Sequence, residues 1–370
     1  MKGATVVLVA GGHTHALVLK EFQRRGLVLS DLIVISDSEK SPYSGLLTGQ
    51  IAGIYADPEI YIEVERLTRS VQGRFIKDAV RGIDFKTRDI ETERHGKIHF
   101  DLLSLNCGAR PDRSSIQGSS AYAHAVKPTQ AFQQEFNDFL TKASERVPVR
   151  IIQIGGGVAG VECSAGFRRR LDDLGISADI TLMESGPVLL PSHNRRVRRA
   201  VLQMLSSLRI TVRTGEAVHE VREGQLLTER EAIFPFDFAV QATPAQPQEW
   251  VRNLELAHCG NFIQIDDFLK TSHPNVFAVG DVAKNPHWSI PRAGVYAVRE
   301  APILCHNILA TLSGSPLKSY RPQKRYLNLI MDGHGRAIAS RGWFYFPRSR
   351  LMWWLKDRID RGFVRKLNTL

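Results

Sequence analysis

The sequence predicts an α/β protein with two doubly wound parallel-sheet domains, the second inserted in the first, and a small C-terminal segment. Two stretches of the chain share one order of features, a buried β-branched strand, a glycine turn and a helix, and each is followed by a second apolar strand ending near an acid. A third apolar strand, much later in the chain, ends in Gly-Asp. The 370 residues also exceed the usual limit of one hydrophobic core, roughly 250–300 residues.

The first glycine turn follows a strand at residues 6–9. A glycine turn at the start of a helix offers backbone N–H groups and the positive end of the helix dipole to phosphate, so this order is typical of a nucleotide cradle. In the G-x-G-x-x-G frame only the central glycine, Gly12, is kept, because Ala10 and His15 take the outer positions. His13 and His15 are either helix-start residues without chemistry or groups that lie over the bound cofactor.

The second glycine turn is intact. Gly155, Gly157 and Gly160 follow a strand at 151–154, and Glu184 ends the next strand. A carboxylate at this place accepts hydrogen bonds from the ribose hydroxyls and repels a 2′-phosphate. This cradle therefore predicts a nicotinamide dinucleotide site that prefers NADH to NADPH.

The Gly-Asp strand covers residues 271–281 and ends at Gly280 and Asp281. Downstream, Arg292, Ala293 and Gly294 follow a proline, which is typical of the first turn of a helix. We expect this helix to begin with small residues that allow a ligand to approach its backbone.

Composition excludes several classes of protein. Hydrophobic residues at 43% and charged residues at 24% rule out disorder. The net charge of +11 permits an anionic membrane or substrate, while the lack of a DNA or RNA motif argues against a nucleic-acid partner. The four cysteines are far apart, so no metal site and no adjacent redox disulfide is predicted, and a reduced cytoplasmic setting is expected. No apolar run is long enough for a membrane span, and the N-terminal stretch breaks too early for a signal peptide.

The C-terminal tail, residues 341–370, is basic and aromatic, with eight Lys or Arg and two Asp, a net charge of +6. We expect a helix near 350–367 with one apolar stripe. The stripe either docks on an anionic membrane surface or packs on the protein itself; a third possibility is that the tryptophans cover the cofactor. The predicted stripe consists of Leu351, Leu355, Ile359, Phe363 and Leu367.

These features together resemble the flavoproteins with two dinucleotide-binding folds, which include ferredoxin reductases, type II NADH dehydrogenases and sulfide:quinone reductases. Further stretches are similar to the flavin domain found fused to selenide, water dikinase, and the chain would then be a free-standing, NADH dehydrogenase-like version. The similarity covers nearly the whole chain, and its departures are Ala10, Ser36 and Pro244. The similar stretches are 11–15, 41–55, 190–194, 293–299 and 354–360.

The resemblance implies two Rossmann-like FAD/NAD(P)-binding domains, with FAD in the first cradle and NADH in the second. It places Gly12 at the FAD pyrophosphate, Asp281 at the ribityl hydroxyls, and the helix that follows at the flavin ring. No catalytic side chain is assigned, because hydride transfer to a flavin needs no protein nucleophile. The cofactor-binding candidates are Ala10, Gly11, Gly12, His13, His15, Ser36, Asp37, Pro42, Cys107, Gly108, Gly155, Gly157, Gly160, Glu184, Gly280, Asp281, Arg292, Ala293 and Gly294.

We expect an FAD domain at 1–125 and 265–320, an NADH domain at 126–264 and an interface or tail segment at 321–370. Lys127, Pro128 and residues 144–148 are the expected connectors. The oligomeric state stays open.

The predicted function is NADH:acceptor oxidoreduction, with a quinone as the favoured acceptor and the enzyme cytoplasmic or peripheral on the inner face of the membrane. Residues 38–53 hold no cysteine, so dithiol relay chemistry is not expected. Two alternatives stay open: a sulfide, persulfide or selenium-compound oxidoreductase that uses Cys163 or Cys305, and an FAD- and NADH-binding redox sensor.

Overall fold

Two five-stranded parallel sheets dominate the computed structural model, which describes residues 3–143, 148–243 and 245–369. The first sheet has the spatial order Val276–Ala278, Leu102–Leu105, Thr5–Val9, Asp31–Ser36 and Arg74–Lys77. The second sheet has the order His124–Ala125, Phe238–Gln241, Val149–Ile154, Ala178–Glu184 and Ile210–Thr214. The strand Val276–Ala278 completes the first sheet only after the chain has built the second, so the second domain is inserted in the first.

Each sheet reverses its strand order at the strand that precedes a glycine turn. Thr5–Val9 lies between Asp31–Ser36 and Leu102–Leu105, and Val149–Ile154 occupies the equivalent place in the second sheet. At such a switch point the connections to the two neighbouring strands diverge and open a crevice at the carboxyl ends of the strands. Both glycine turns therefore lie at crevices suited to a ligand.

Helices cover the sheets. His13–Arg25 and Gly294–Ser313 pack against each other beside the first sheet, and Val158–Asp173 packs on the second. The α-helices of the described ranges are His13–Arg25, Ser44–Ile51, Val64–Ser70, Ser119–Tyr122, Thr129–Ala143, Val158–Asp173, Arg195–Ser207, Glu249–Arg252, Gly294–Ser313 and Arg350–Asn368. Short 3₁₀ turns occur at Asp57–Ile60 and Gly280–Val282.

Small sheets extend the two domains. The three-stranded ones are Val80–Asp84 with Asp89–Thr92 and Lys97–His99; Val218–Arg222 with Gln225–Thr228 and Ile233–Pro235; His258–Cys259 with Phe262–Gln264 and Ala283–Lys284; and Asn328–Met331 with Ala337–Arg341 and Phe344–Ser349. The two-stranded ones are Lys40–Pro42 with Tyr61–Glu63, and Arg110–Pro111 with Ala245–Gln246.

Each parallel sheet has its own hydrophobic core. Leu8, Ile33 and Phe277 are fully buried in the first core, and Phe167 and Leu182 in the second. One face of the second sheet packs against helices, and Ile152, Ile154 and Met183 on the other face pack against Val221 and Leu226 of a small sheet. Strands covered on both faces bury consecutive apolar residues, which explains the unbroken β-branched runs in the sequence. Burial of each large side chain is worth about 1.5–3 kcal/mol. The two sheets are therefore the centres of two domains with separate cores.

The C-terminal helix Arg350–Asn368 forms as expected, but the predicted single stripe is wrong. Leu351 and Ile359 are exposed, and the buried face instead carries Lys356, Asp360 and, further along, Val364 and Leu367. The reason is geometric: at 3.6 residues per turn, a step of four residues advances by about 40° beyond a full turn, so the stripe winds around the helix. One end of it is buried and the other faces outward.

Two further expectations concern a membrane span and the connectors between the domains. Within the described ranges, no helix is both long and apolar enough to cross a bilayer. Pro244 and most of the expected connector at 144–148 lie outside the described residues.

Candidate functional site

A cavity of about 430 Å³ lies at the crevice of the first sheet. It collects residues from the first glycine turn, from the ends of two neighbouring strands, from the Gly-Asp turn and from the start of the helix Gly294–Ser313. Lys127 and Pro128, at the entry to the second domain, also line it. The sequence candidates in its wall are Ala10, Gly11, Gly12, His13, Ser36, Asp37, Pro42, Cys107, Gly108, Gly280, Asp281 and Gly294.

The first glycine turn needs a residue without a side chain at position 12. A Cβ on Gly12 would lie 2.2 Å from Oδ1 of Asn106, which no real contact permits. The Asn106 amide in turn accepts a hydrogen bond from the His15 backbone N–H at 3.3 Å and donates to the Val279 carbonyl at 2.9 Å. Asn106 therefore joins the first cradle to the Gly-Asp strand. We did not predict it from the sequence, although its place directly after a buried strand was a usable signal.

A buried carboxyl group holds the Gly-Asp turn. Oε2 of Glu300 accepts a hydrogen bond from the Gly280 backbone N–H at 2.6 Å, and Glu300 is 4% exposed. Burial raises the pKa of Glu300 to about 7. This contact sets the geometry of the turn that presents Asp281 to the cavity. No motif in the sequence marks Glu300 as a residue of the site.

His13 lies in the cavity wall, whereas His15 lies behind it. The His13 ring contacts Tyr43, at 5.2 Å between centroids, and Phe363 of the C-terminal helix, at 6.0 Å. Desolvation lowers the pKa of His13 to about 4, so its ring is neutral near pH 7. The positive potential for an anionic ligand then comes from Lys40, Arg110 and Lys127 in the cavity wall and from the N-termini of the two helices that begin at His13 and Gly294.

Neither Arg292 nor Ala293 lines this cavity. Ala293 lies directly before the helix Gly294–Ser313, whose first residue does line it. The Arg292 guanidinium donates to the backbone carbonyls of Asp281, at 2.5 Å, and Ala283, at 3.2 Å, and it lies 3.3 Å from the centroid of the Phe262 ring. Desolvation lowers its pKa. Arg292 thus holds the backbone of Asp281 from a position outside the cavity. The helix begins at Gly294, later than the proline suggested.

The second cradle is a tight glycine turn closed by Glu184. A Cβ on Gly160 would lie 1.9 Å from the Gly155 carbonyl oxygen, so helix and turn approach as closely as backbone allows. Oε2 of Glu184 accepts from the Gly156 N–H at 2.8 Å, and Oε1 accepts from the Gly186 N–H at 2.7 Å. Gly157 caps the helix Val158–Asp173. The carboxylate is therefore held rigidly beside the turn.

The cysteines are spread over the fold. All four are free, and Cys163 and Cys305 are each 1% exposed within the two cores. Cys107 lines the cavity, and burial raises the pKa of its thiol to about 12. At neutral pH this thiol stays protonated and is a poor nucleophile. No group of three or more His, Cys, Asp or Glu side chains in the described residues could hold a metal ion.

Comparisons with known proteins agree with this architecture. Residues 3–301 match the family described as pyridine nucleotide-disulphide oxidoreductase. The chain is 24% identical over 340 residues to demethylphylloquinone reductase NdbB of Synechocystis sp., covering 87% of this chain and 83% of that one. It is 26% identical over 262 residues to type II NADH:quinone oxidoreductase of Haemophilus influenzae, covering 61% and 59%.

Two solved structures show the same fold. The sulfide:quinone oxidoreductase of Aquifex aeolicus superposes with a TM-score of 0.81 at 17% identity, covering 99% of this chain and 91% of that one. NDH2 of Plasmodium falciparum in complex with NADH superposes with a TM-score of 0.83 at 14% identity, covering 99% and 98%. The predicted pair of Rossmann-like domains is confirmed, as is the prediction of an oxidoreductase that uses FAD and NADH. Since the family match spans most of its length, the chain belongs to the pyridine nucleotide-disulphide oxidoreductase family.

Proposed function

We propose that this protein is an FAD-dependent NADH:quinone oxidoreductase, with FAD in the cavity of the first cradle and NADH at the second. One observation carries the proposal: the Asp281 turn and two helix N-termini meet the first glycine turn in a single cavity that has no cysteine pair. The names of the relatives NdbB and type II NADH:quinone oxidoreductase support a quinone as acceptor.

The residues of the cavity fit FAD. Gly12 gives the pyrophosphate room against the backbone, and the N-terminus of His13–Arg25 supplies N–H donors and a favourable dipole. The Asp281 carboxylate accepts hydrogen bonds from hydroxyl groups such as those of a ribityl chain. The helix that begins at Gly294 stabilises negative charge at its N-terminus by about 0.3–1 kcal/mol. Bound FAD would take a hydride from NADH and pass electrons to the acceptor.

The proposed domain boundaries are 1–125 with 265–320 for FAD, 126–264 for NADH and 321–370 for the C-terminal segment. The return of Val276–Ala278 to the first sheet supports the split FAD domain. The small sheet Asn328–Ser349 and the helix Arg350–Asn368 support a separate last segment.

A quinone dissolved in lipid requires the enzyme to reach a membrane, and we place the contact at an outward-facing apolar rim. The rim consists of Trp343, Phe344, Leu351, Trp354 and Ile359, all exposed, with Trp343 75% and Trp354 51% exposed. Arg358 lies over the Trp354 ring at 5.5 Å. Aromatic side chains beside basic ones are typical of a membrane-surface contact. We therefore propose a cytoplasmic enzyme bound peripherally to the inner face.

The test is anaerobic reduction of the FAD-loaded protein by NADH, followed by mixing with quinones, sulfide, selenium compounds or oxygen. We expect rapid flavin reduction and rapid reoxidation by a quinone. Sulfide or a selenium compound reducing the flavin would favour the first alternative. Slow exchange with every acceptor would favour the redox sensor.

Asp281→Ala serves as the site-directed arm of this test. We expect lower FAD content after purification, because the cavity loses its hydroxyl acceptor. Asp179→Asn, an exposed change in the second domain, is the matched control. Full FAD retention by Asp281→Ala would contradict the assigned role.

A further inference from the structure

The two cradles close their glycine turns by different chemistry. In the second, the third position is Gly160, whose missing side chain lets the helix touch the Gly155 carbonyl oxygen. In the first, the third position is His15, which is fully buried. Its Nδ1 lies 2.8 Å from the Ala10 carbonyl oxygen, and its Nε2 lies 2.8 Å from Oγ of Ser104. The second cradle is thus closed by a backbone contact, and the first by hydrogen bonds of the His15 side chain.

The partners of the ring determine where its proton lies. A carbonyl oxygen can only accept, so Nδ1 of His15 carries the hydrogen and donates it to Ala10. Nε2 is then free to accept the hydroxyl hydrogen of Ser104, on the neighbouring strand Leu102–Leu105. Desolvation lowers the pKa of His15 to about 4, which keeps the ring neutral and this pattern intact near pH 7.

Ala10 needs such support. Its φ of +68° lies in the left-handed region, which residues with a Cβ seldom adopt, whereas Gly155 takes a positive φ freely at the same place in the second cradle. Two hydrogen bonds hold Ala10 there: its N–H donates to the Ile35 carbonyl at 2.7 Å, and its carbonyl accepts from His15.

We propose that His15 is a positioning residue of the FAD site, whose imidazole holds Ala10 in the left-handed conformation and so shapes the turn of Gly11 and Gly12 for the pyrophosphate. The role is one that the outer glycines fill in the second cradle. The inference rests on the proposed assignment of FAD to the first cradle.

The test is a double-mutant cycle on positions 10 and 15, read as the Kd of apoprotein for FAD from quenching of flavin fluorescence. His15→Ala should weaken FAD binding about tenfold, the effect of one buried hydrogen bond. In the Ala10→Gly background the same change should cost at most about threefold, because glycine takes the left-handed conformation unaided. His15→Asn, which keeps an N–H donor near the Nδ1 position, should restore most of the loss.

Leu19→Ala is the matched control, since Leu19 is fully buried on the same helix and has no place in the cradle. It should lower the unfolding free energy of the apoprotein while its FAD Kd stays within about twofold of the parent. An equal loss on His15→Ala in both backgrounds, or no loss in either, would overturn the proposal. If His15→Ala does not fold, the same cycle is measured with His15→Asn and Ala10→Gly. A purely space-filling role of His15 predicts that the two changes alter the Kd for FAD independently of each other. A parent protein without FAD affinity would instead refute the assignment of the cradle.

Discussion

At the residue scale, we propose that Glu184 makes the protein prefer NADH to NADPH. Its carboxylate is held by the Gly156 and Gly186 N–H groups, so it cannot swing away from a 2′-phosphate. We expect kcat/KM to be about tenfold higher with NADH than with NADPH, because repulsion between the carboxylate and the 2′-phosphate of about 1.4 kcal/mol, within the range for a partly desolvated cleft, corresponds to that factor. Glu184→Gln should shrink that ratio by raising activity with NADPH.

Steady-state kinetics with both cofactors measure the ratio, and Asp179→Asn on the same strand is the control. Equal kcat/KM values in the parent protein would remove Glu184 from the site.

His15 also predicts a pH dependence of stability. Its pKa is about 4 in the fold against 6.5 in the unfolded chain, so between these values the unfolded chain binds more protons. Stability from this residue is therefore complete above pH 6.5 and falls as the pH drops towards 4, by about 3 kcal/mol at most. Urea unfolding of the apoprotein should show this slope, and His15→Asn should reduce it.

Glu300 acts with the opposite sign. Its pKa of about 7 lies above its ordinary value of 4.5, so between these pH values the folded protein binds more protons than the unfolded chain. The contribution of Glu300 to the unfolding free energy is therefore complete below pH 4.5 and is lost as the pH rises towards 7. Glu300→Gln removes that opposing slope and should make the acid destabilisation from histidine steeper. An unchanged slope in both variants would contradict these assignments.

At the element scale, the C-terminal helix is anchored by a buried ion pair. Nζ of Lys356 donates to Asp360 at 2.9 Å and to the Gly45 carbonyl at 3.0 Å, and the Tyr43 hydroxyl donates to Asp360 at 3.1 Å. Glu162 of the second domain faces Lys356 and, with Asp360, raises its pKa against the opposing effect of burial. The helix thus ties both domains together.

Lys356→Met should lower the unfolding free energy by about 3–5 kcal/mol, because it leaves buried carboxylates without their cation. Urea denaturation measures the change, and Arg358→Met, exposed on the same helix, should cost less than about 0.5 kcal/mol. Adding Asp360→Leu to Lys356→Met should recover part of the loss. If the single variant is as stable as the parent, the pair does not anchor the helix.

The apolar rim, formed by this helix together with Trp343 and Phe344 ahead of it, predicts salt-sensitive membrane binding. We expect the protein to co-sediment with anionic vesicles at low salt and less so as salt rises, because screening shortens charge attraction to roughly 10 Å at 0.1 M. Trp343→Ser combined with Trp354→Ser should reduce binding while FAD content is kept. Deleting residues from Leu351 onward is a poorer test, since it also removes the buried face of the helix.

Leu174→Ser, an exposed apolar site in the second domain, is the control for the tryptophan variant. Vesicle binding that survives loss of both tryptophans, or no binding at low salt, would refute the rim as a membrane contact and favour a water-soluble acceptor.

At the scale of the whole molecule, electron transfer should not need sulfur. Cys163 and Cys305 are buried in separate cores, and the raised pKa keeps the Cys107 thiol protonated. We expect two variants to keep NADH-to-quinone turnover within about threefold of the parent. One has serine in place of Cys163, Cys259 and Cys305, and the other is Cys107→Ala. Loss of turnover with FAD still bound would revive the sulfur-relay alternative.

The two cradles, the inserted order of the domains and the class of chemistry were all predictable from the amino-acid sequence. Strand, glycine turn and helix are consecutive in the chain, so their geometry follows from local sterics and needs no distant partner. Gly155, Gly160 and Glu184 could be read from spacing for the same reason. The Gly-Asp strand was recognisable because an apolar run with that ending is itself local.

The side chains that hold these cradles in place became evident only from the folded structure. Asn106, Glu300 and Ser104 act on residues far away in the chain, and no periodicity marks such pairs. The C-terminal helix is a second case in which the sequence pattern was insufficient. Its apolar pattern predicted one buried apolar face, whereas the fold buries the Lys356–Asp360 ion pair. A polar group can be buried when a partner from another element satisfies it, and that partner exists only once the chain has folded.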